Sequence, residues 1–366
     1  MELVSLPAAC DAHPFVANMT LGPLSIDYVH VHYCSLAGLP LLSALLLLLW
    51  LAVLFYFLGS TADGYFSPTL ASLSDRLRVP HDVSGVTFLA FGNGAPDVFS
   101  AIAAYSSGVG EAGINELLGG AVFVSTVVVG AVAVASSVQV QRWAFVRDVG
   151  AFLASLLLLL MLAISSSGGD LGDTAVAALL FLALYGLYVV SVVFPACVAR
   201  YRTAEAEIRD AEIMKKTSMM ISAFWHALSP RVAVGYITRA SNSLLGLTVL
   251  AWGNSVGDLI TDVSVARAGF PQMAIAGCFG GPVFNILLGL GLPMLYACVR
   301  GRSEDLALDI HAWISLSFLF VSLTSSLLVF RRHKYHCPPW YGKLLMVYYF
   351  IYSLLNLAVA FRVVIV

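Results

Sequence analysis

Long apolar runs separated by short polar breaks dominate the chain. A helix crossing a bilayer needs about 20 mainly apolar residues. Nine stretches satisfy this: Leu36–Leu58, Val83–Ser106, Glu116–Val138, Trp143–Ser166, Thr174–Val198, Leu244–Val265, Met273–Val299, Leu306–Phe330 and Leu344–Val366. The runs are too long for barrel strands and lack their period-two alternation, so the pattern predicts an all-α, polytopic membrane protein. It divides into an N-terminal segment (1–35), a first membrane half (36–199), a charged connector (200–240) and a second membrane half (241–366).

Positive charge orients the first half. With the N-terminus outside, the inner loops hold Arg76, Arg78, Arg142 and Arg147, and the outer loops hold no Lys or Arg. In the second half, nine crossings put Arg331, Arg332, Lys334 and Lys343 outside, whereas ten put them inside. The expectation is therefore ten crossings. The extra one would lie around Met219–Ile237, a poor candidate containing His226, Pro230 and Arg231, so that helix is read as short or missing.

Composition agrees. The 366 residues are 60% apolar and only 11% charged, with a mean hydropathy of +0.89, against roughly 25% charged in soluble domains. The formal charge is −2 with no basic stripe, which excludes a nucleic-acid partner. The lipid bilayer is the expected surrounding, and a homo-oligomer is compatible with these features. No CxxC spacing points to zinc or thiol redox chemistry. Cys10 and Cys34 are read as two free thiols or a disulfide on the outer side, where Asn18-Met19-Thr20 forms a weak sequon.

One segment is repeated. Residues 85–104 (GVTFLAFGNGAPDVFSAIAA) align with 246–265 (GLTVLAWGNSVGDLITDVSV) at an offset of 161, with seven of twenty positions identical. At the same offset Gly119-Gly120-Ala121-Val122-Phe123 meets Gly280-Gly281-Pro282-Val283-Phe284. The repeats span 85–134 and 246–294. With ten crossings the copies would be oppositely oriented, the inverted repeat typical of secondary transporters.

The repeated polar residues are costly in lipid. An aspartate at a helix centre costs at least ~2.5 kcal/mol on insertion scales. Asn93 and Asp97 share one helical face, as do Asn254, Asp258 and Asp262, with Ser255 beside them. These are hard oxygen donors, and calcium takes six to eight such oxygens. Pro96 removes a backbone N–H, and Gly92, Gly94, Gly253 and Gly257 ease unwinding. Unwound turns would free main-chain oxygens for an ion. Asn285 reads as a further ligand or an interhelical hydrogen bond. Ser125 and Thr126 read as weak ligands or as hydroxyls bonded within their own helix. Asp262 reads as a ligand or a vestibule-facing carboxyl. Glu111 and Glu116 read as plain surface at a loop, the alternative being an ion-entry vestibule. Gly277-x-x-x-Gly281 reads as a close-packing pattern.

GNGAPD in one copy, GNSVGD in the other and the following CFGGPVFN resemble the α-repeats of the calcium/cation antiporter superfamily, and most closely its mitochondrial sodium/calcium exchanger branch, also called the sodium/lithium/calcium or type 6 sodium/potassium/calcium exchanger group. The resemblance covers nearly all of 28–200 and 240–366. It implies an inverted-repeat exchanger fold, no enzymatic activity, no cofactor, and transport of calcium against sodium, with lithium or potassium as further cations. It implies ion ligands at Asn93, Pro96, Asp97, Asn254, Ser255, Gly257, Asp258 and Asn285. It also implies a gating helix before the second repeat, where this connector is short, and residence in the mitochondrial inner membrane. The arginine-free N-terminus points instead to an endomembrane or the cell surface. The remaining readings are a potassium- or proton-coupled exchanger, a non-transporting or regulatory product, and an intramembrane aspartyl protease, whose Tyr-Asp and Gly-x-Gly-Asp contexts are missing.

Overall fold

The computed structural model describes residues 80–106, 110–165, 171–201, 251–301 and 308–360, with isolated residues between 42 and 76. The N-terminal segment with Cys10 and Cys34, most of the first predicted span, the connector and the candidate tenth crossing lie outside the described residues.

The helices are α1 (Ala90–Ser106), α2 (Gly110–Phe123), α3 (Val129–Ala135), α4 (Arg142–Ser165) and α5 (Leu171–Tyr201) in the first half. The second half contains α6 (Ala251–Arg267), α7 (Pro271–Val299), α8 (Ile310–Arg332) and α9 (Pro339–Ala360). A short helix (His81–Ser84) and a π-helical turn (Gly85–Leu89) lead into α1, and a second π turn (Val124–Val128) joins α2 to α3. Among the described residues six stretches are long and apolar enough to cross a bilayer: Gly113–Ala135, Arg142–Ser165, Gly172–Pro195, Pro271–Val299, Ile310–Arg332 and Pro339–Ala360. The chain is a multi-pass membrane protein.

Three expectations are corrected. The unwinding expected at Gly92–Pro96 and Gly253–Gly257 does not occur: α1 and α6 are helical through both motifs. Among the described residues the helical departures from α geometry are two π turns, a form that recurs at functional sites. The all-α reading misses a two-residue antiparallel ladder, β1 (Val138–Gln139) with β2 (His336–Cys337), which ties the α3–α4 loop to the α8–α9 loop. Burial there pushes the Cys337 thiol up to about 12, so it stays protonated and unreactive at neutral pH. Finally, Glu116 is not surface: it lies within α2 and is 5% exposed.

Packing follows from small residues. α7 begins with Pro271 at its first turn, α8 is capped by Asp309 accepting from the Ala312 N–H, and Ser and Thr hydroxyls bond to carbonyls three or four residues back. The π turn that leads into α1 lies on α7 so closely that a methyl at Gly85 would overlap the Met273 carbonyl. α8 and α9 are joined by buried polar pairs: His311 Nδ1 with Asn356 Oδ1 at 2.9 Å, and Ser315 Oγ with Tyr352 OH at 2.8 Å. α3 and α9 cross at Gly130 and Gly342, where a Cβ on Gly342 would stand 2.7 Å from the Gly130 carbonyl oxygen. Gly342→Val should therefore destabilise the protein by ~1–3 kcal/mol through overpacking. Thermal unfolding in detergent checks this, and an unchanged midpoint would contradict the close crossing.

Candidate ion-binding site

The motif helices pack across the two halves. α1 leans on α7, and α6 packs both on its successor α7 and on the run from α2 through α3, so residues from the two halves meet at the crossings. Asn285 of α7 donates its Nδ2–H to Asp97 Oδ2 of α1 at 2.5 Å. Asn93 of α1 donates to the Asp258 carboxylate of α6. Each central aspartate thus receives an amide hydrogen bond from the opposite half.

These contacts close a ring. Asp258 and Asp262 are one turn apart on α6 and within each other's electrostatic field. Asn93 and Asp97 are one turn apart on α1. Gly277, Gly281 and Asn285 form one stripe on α7, about 12 Å long at 1.5 Å per residue. The ring closes where Asp262 Oδ1 lies 3.4 Å from where a Gly277 Cβ would stand. The Cys278 thiol donates to the other oxygen, Asp262 Oδ2, at 3.1 Å. Midway along the stripe, a Cβ on Gly281 would meet nothing within 4 Å. The close-packing pattern is therefore split: Gly277 packs against Leu89 and Asp262, and Gly281 faces open space.

Oxygens around this ring lack partners. Ser255 Oγ, Asp262 Oδ1 and Asn285 Oδ1 are buried without a hydrogen-bond partner. Such groups cost ~1–3 kcal/mol each unless something satisfies them. Asp97, Asp258 and Asp262 are 7%, 8% and 1% exposed; Asp262 faces inward and not into a vestibule. Among the described residues no three His, Cys, Asp or Glu side chains converge on one point. A cation here would draw its further oxygens from amides, hydroxyls and the main chain, a donor set suited to hard cations.

The structure unites Asn93, Asp97, Ser255, Asp258, Asp262 and Asn285. Gly257 is buried in α6 one residue before Asp258, and its carbonyl accepts from Thr261 Oγ1. Pro96 and Asn254 lie in α1 and α6, but their side chains lie outside the described residues. Ser125 is not joined to the ring: its hydroxyl donates to Val122 of its own helix at 3.3 Å, and Thr126 does likewise. Sequence reasoning missed Cys278 as a partner of Asp262, since sixteen residues separate them and no spacing rule links a helix to the next one. It also missed Gly94, which leaves no room for a methyl because Asn285 Oδ1 and the Phe284 ring occupy that space.

Comparison with known proteins places these features. A family model described as sodium/calcium exchanger protein matches residues 47–194 and 219–358. Cation/calcium exchanger 5 of Arabidopsis thaliana is 28% identical, covering 92% of this chain and 86% of its own length. The mitochondrial sodium/calcium exchanger protein of Homo sapiens is 26% identical, covering 93% and 85%. A solved structure of the sodium-calcium exchanger NCX_Mj, soaked with sodium and strontium, superposes with a TM-score of 0.63 at 17% identity, covering 84% of this chain and 97% of that one. That likeness establishes the fold.

The Asn285–Asp97 bond and the crowding at Gly94 yield one prediction. Asn285→Ala should cost ~1–3 kcal/mol by leaving Asp97 short of a partner. Gly94→Ala should cost a similar amount alone and less in the Asn285→Ala background, where the clashing oxygen is gone and only the edge of the Phe284 ring remains. A double-mutant cycle on thermal stability in detergent measures the coupling, and strict additivity would contradict the contact.

Proposed function

Because the chain belongs to the sodium/calcium exchanger protein family, we propose that it is a secondary active antiporter that exchanges calcium for sodium across a membrane, the ions competing at the Asp97/Asp258 site. The observation that carries this reading is the ring of buried acids whose neighbouring oxygens, at Ser255, Asp262 and Asn285, have no partner. Two carboxylates balance one calcium, and sodium ions balance the same charge singly. Asn93, Asn285 and Ser255 supply further side-chain oxygens, Asp262 adds a carboxylate one turn beyond Asp258, and Pro96, Asn254 and Gly257 belong to the same turns. Ser125 is the weakest member, turned into its own helix.

Occupancy governs the switch. With no cation the acids repel and stay unbalanced in a low-dielectric bundle, so the empty carrier resists closure. A loaded site removes that penalty. Calcium or sodium thus permits the change of access, and a sodium gradient drives calcium the other way. The repeat offset of 161 supports an inverted-repeat bundle of ten crossings. Relatives named mitochondrial sodium/calcium exchanger proteins favour sodium coupling and the mitochondrial inner membrane. Relatives named cation/calcium exchangers favour the alternative, coupling to potassium or protons in another membrane.

A second reading, a non-transporting product, has one observation in its favour. The matched relatives align over 473 to 510 positions, against 366 residues here, so they carry internal segments this chain lacks.

Calcium-45 flux into proteoliposomes, driven in turn by sodium, lithium, potassium and a pH step, separates these readings. Sodium-driven flux should fall on the order of a hundredfold in Asp97→Asn and Asp258→Asn, the effect of one unbalanced charge of ~2.5 kcal/mol, while both variants still insert. Full flux in both would overturn the two-aspartate mechanism. Wild-type protein inert to every gradient would favour the non-transporting product.

A further inference from the structure

Two further acids fall outside the central pair. Shifted by 161 residues, Asp97 falls on Asp258 and Asn93 on Asn254, but Asp262 falls on Ala101 and Glu116 on Gly277. In the second half Asp262 is seated against Gly277, which has no side chain to obstruct it. The register gives the first half the same crossing with its partners exchanged: Ala101 is the small residue and Glu116 the acid. Each half thus holds one acid and one small residue here, with the acid on the first helix in one half and on the second helix in the other.

Glu116 fits this placement. It is 5% exposed, within α2. It lies one turn before Gly120, whose Cβ position is 3.1 Å from Ser255 Oγ, so it occupies the face of α2 that meets α6. Ala101 is 1% exposed and continues the Asn93–Asp97 stripe by one turn. In the second half Asp262 Oδ1 is a buried oxygen without a partner, and so is Asn115 Oδ1, of the residue that precedes Glu116 on α2. Asp262 and Asn115 are each 1% exposed.

We propose that Glu116 and Asp262 are an outer pair of cation ligands, related by the repeat, which flank Asp97 and Asp258 and set how many monovalent cations are loaded against one divalent cation. For the identity of the ions this rests on the antiport reading above. Every buried carboxylate calls for one positive charge. Calcium held by the central pair leaves the outer pair to other cations. Four monovalent ions would balance Asp97, Glu116, Asp258 and Asp262 together. The outer acids therefore tune the sodium dependence more than the affinity for calcium.

The test uses the full chain purified in detergent. Bound calcium-45 is displaced by sodium, and the slope and midpoint of displacement are read. Glu116→Gln and Asp262→Asn should each lower the Hill slope by about one, one monovalent cation per charge removed, and raise the half-displacing sodium concentration roughly tenfold. Calcium affinity without sodium should change less than in Asp97→Asn. The decisive variant combines Glu116→Gly with Ala101→Asp, rebuilding in the first half the arrangement of the second, and should restore slope and midpoint. A purely structural acid would not be rescued from the other helix.

Unchanged slopes in Glu116→Gln and Asp262→Asn overturn the proposal, as does a folded swap variant that stays at the Glu116→Gln level. Should Glu116→Gln fail to fold, Asp262→Asn and the swap variant still decide. Wild-type protein that binds calcium but shows no sodium-driven flux would count against the antiport reading alone. Wild-type flux with unchanged slopes would count against the outer pair alone.

Discussion

A carboxylate inside a helix bundle that faces lipid must be matched by something, and this bundle is arranged around that need. Asp97 and Asp258 each accept an amide hydrogen bond from the opposite half, from Asn285 and Asn93. A neutral amide orients a carboxylate without cancelling its charge. The remaining demand falls on the oxygens that have no partner, at Ser255, Asp262 and Asn285. Since the ring is assembled from both halves, a cation bound there as proposed would pull on α1, α6 and α7 together. Binding and relative movement of the halves are coupled by the same few atoms, the property an alternating-access carrier requires.

Close approach of backbones makes the ring possible. Gly94 leaves space for the Asn285 oxygen, Gly85 lets the π turn before α1 meet the α7 backbone, and Gly277 leaves space for Asp262. In a membrane interior apolar side chains gain little by leaving lipid, so helix association relies on this intimacy and on interhelical hydrogen bonds. The polar seam between α8 and α9 works by the same means, away from the ion ring.

Hydropathy made the membrane class and most helices legible, and the offset of 161 made the two aspartates legible as a pair. What escaped has a common physical origin. Proline and glycine were weighed as helix breakers, yet α1 runs through Pro96, just as α5 contains Pro195 and α7 contains Pro282 and Pro293. Inside a bundle, neighbouring helices and hydroxyls re-satisfy the freed carbonyls, so the tertiary setting overrides the local penalty. Glu116 escapes because an acid near the end of an apolar run resembles an interfacial residue, whereas the folded bundle buries it within α2. The β1–β2 ladder is two residues per strand, too short to leave a periodic signal.

The departures from internal symmetry carry meaning of their own. Asn285 of α7 corresponds in register to Val124, which opens the π turn Val124–Val128 and cannot donate to a carboxylate. Two halves that exchanged roles with identical contacts would be equally stable in both access states. Here one contact joins Asp97 to α7, whereas no amide on α2 stands at the corresponding position for Asp258. On the proposed reading that difference acts directly on the acids that bind the cation, so the resting preference of the carrier and its response to loading are set at the same place. A hydrogen bond of ~1 kcal/mol between the halves shifts a two-state balance about fivefold, enough to give the unloaded and loaded forms different preferred openings without any further device.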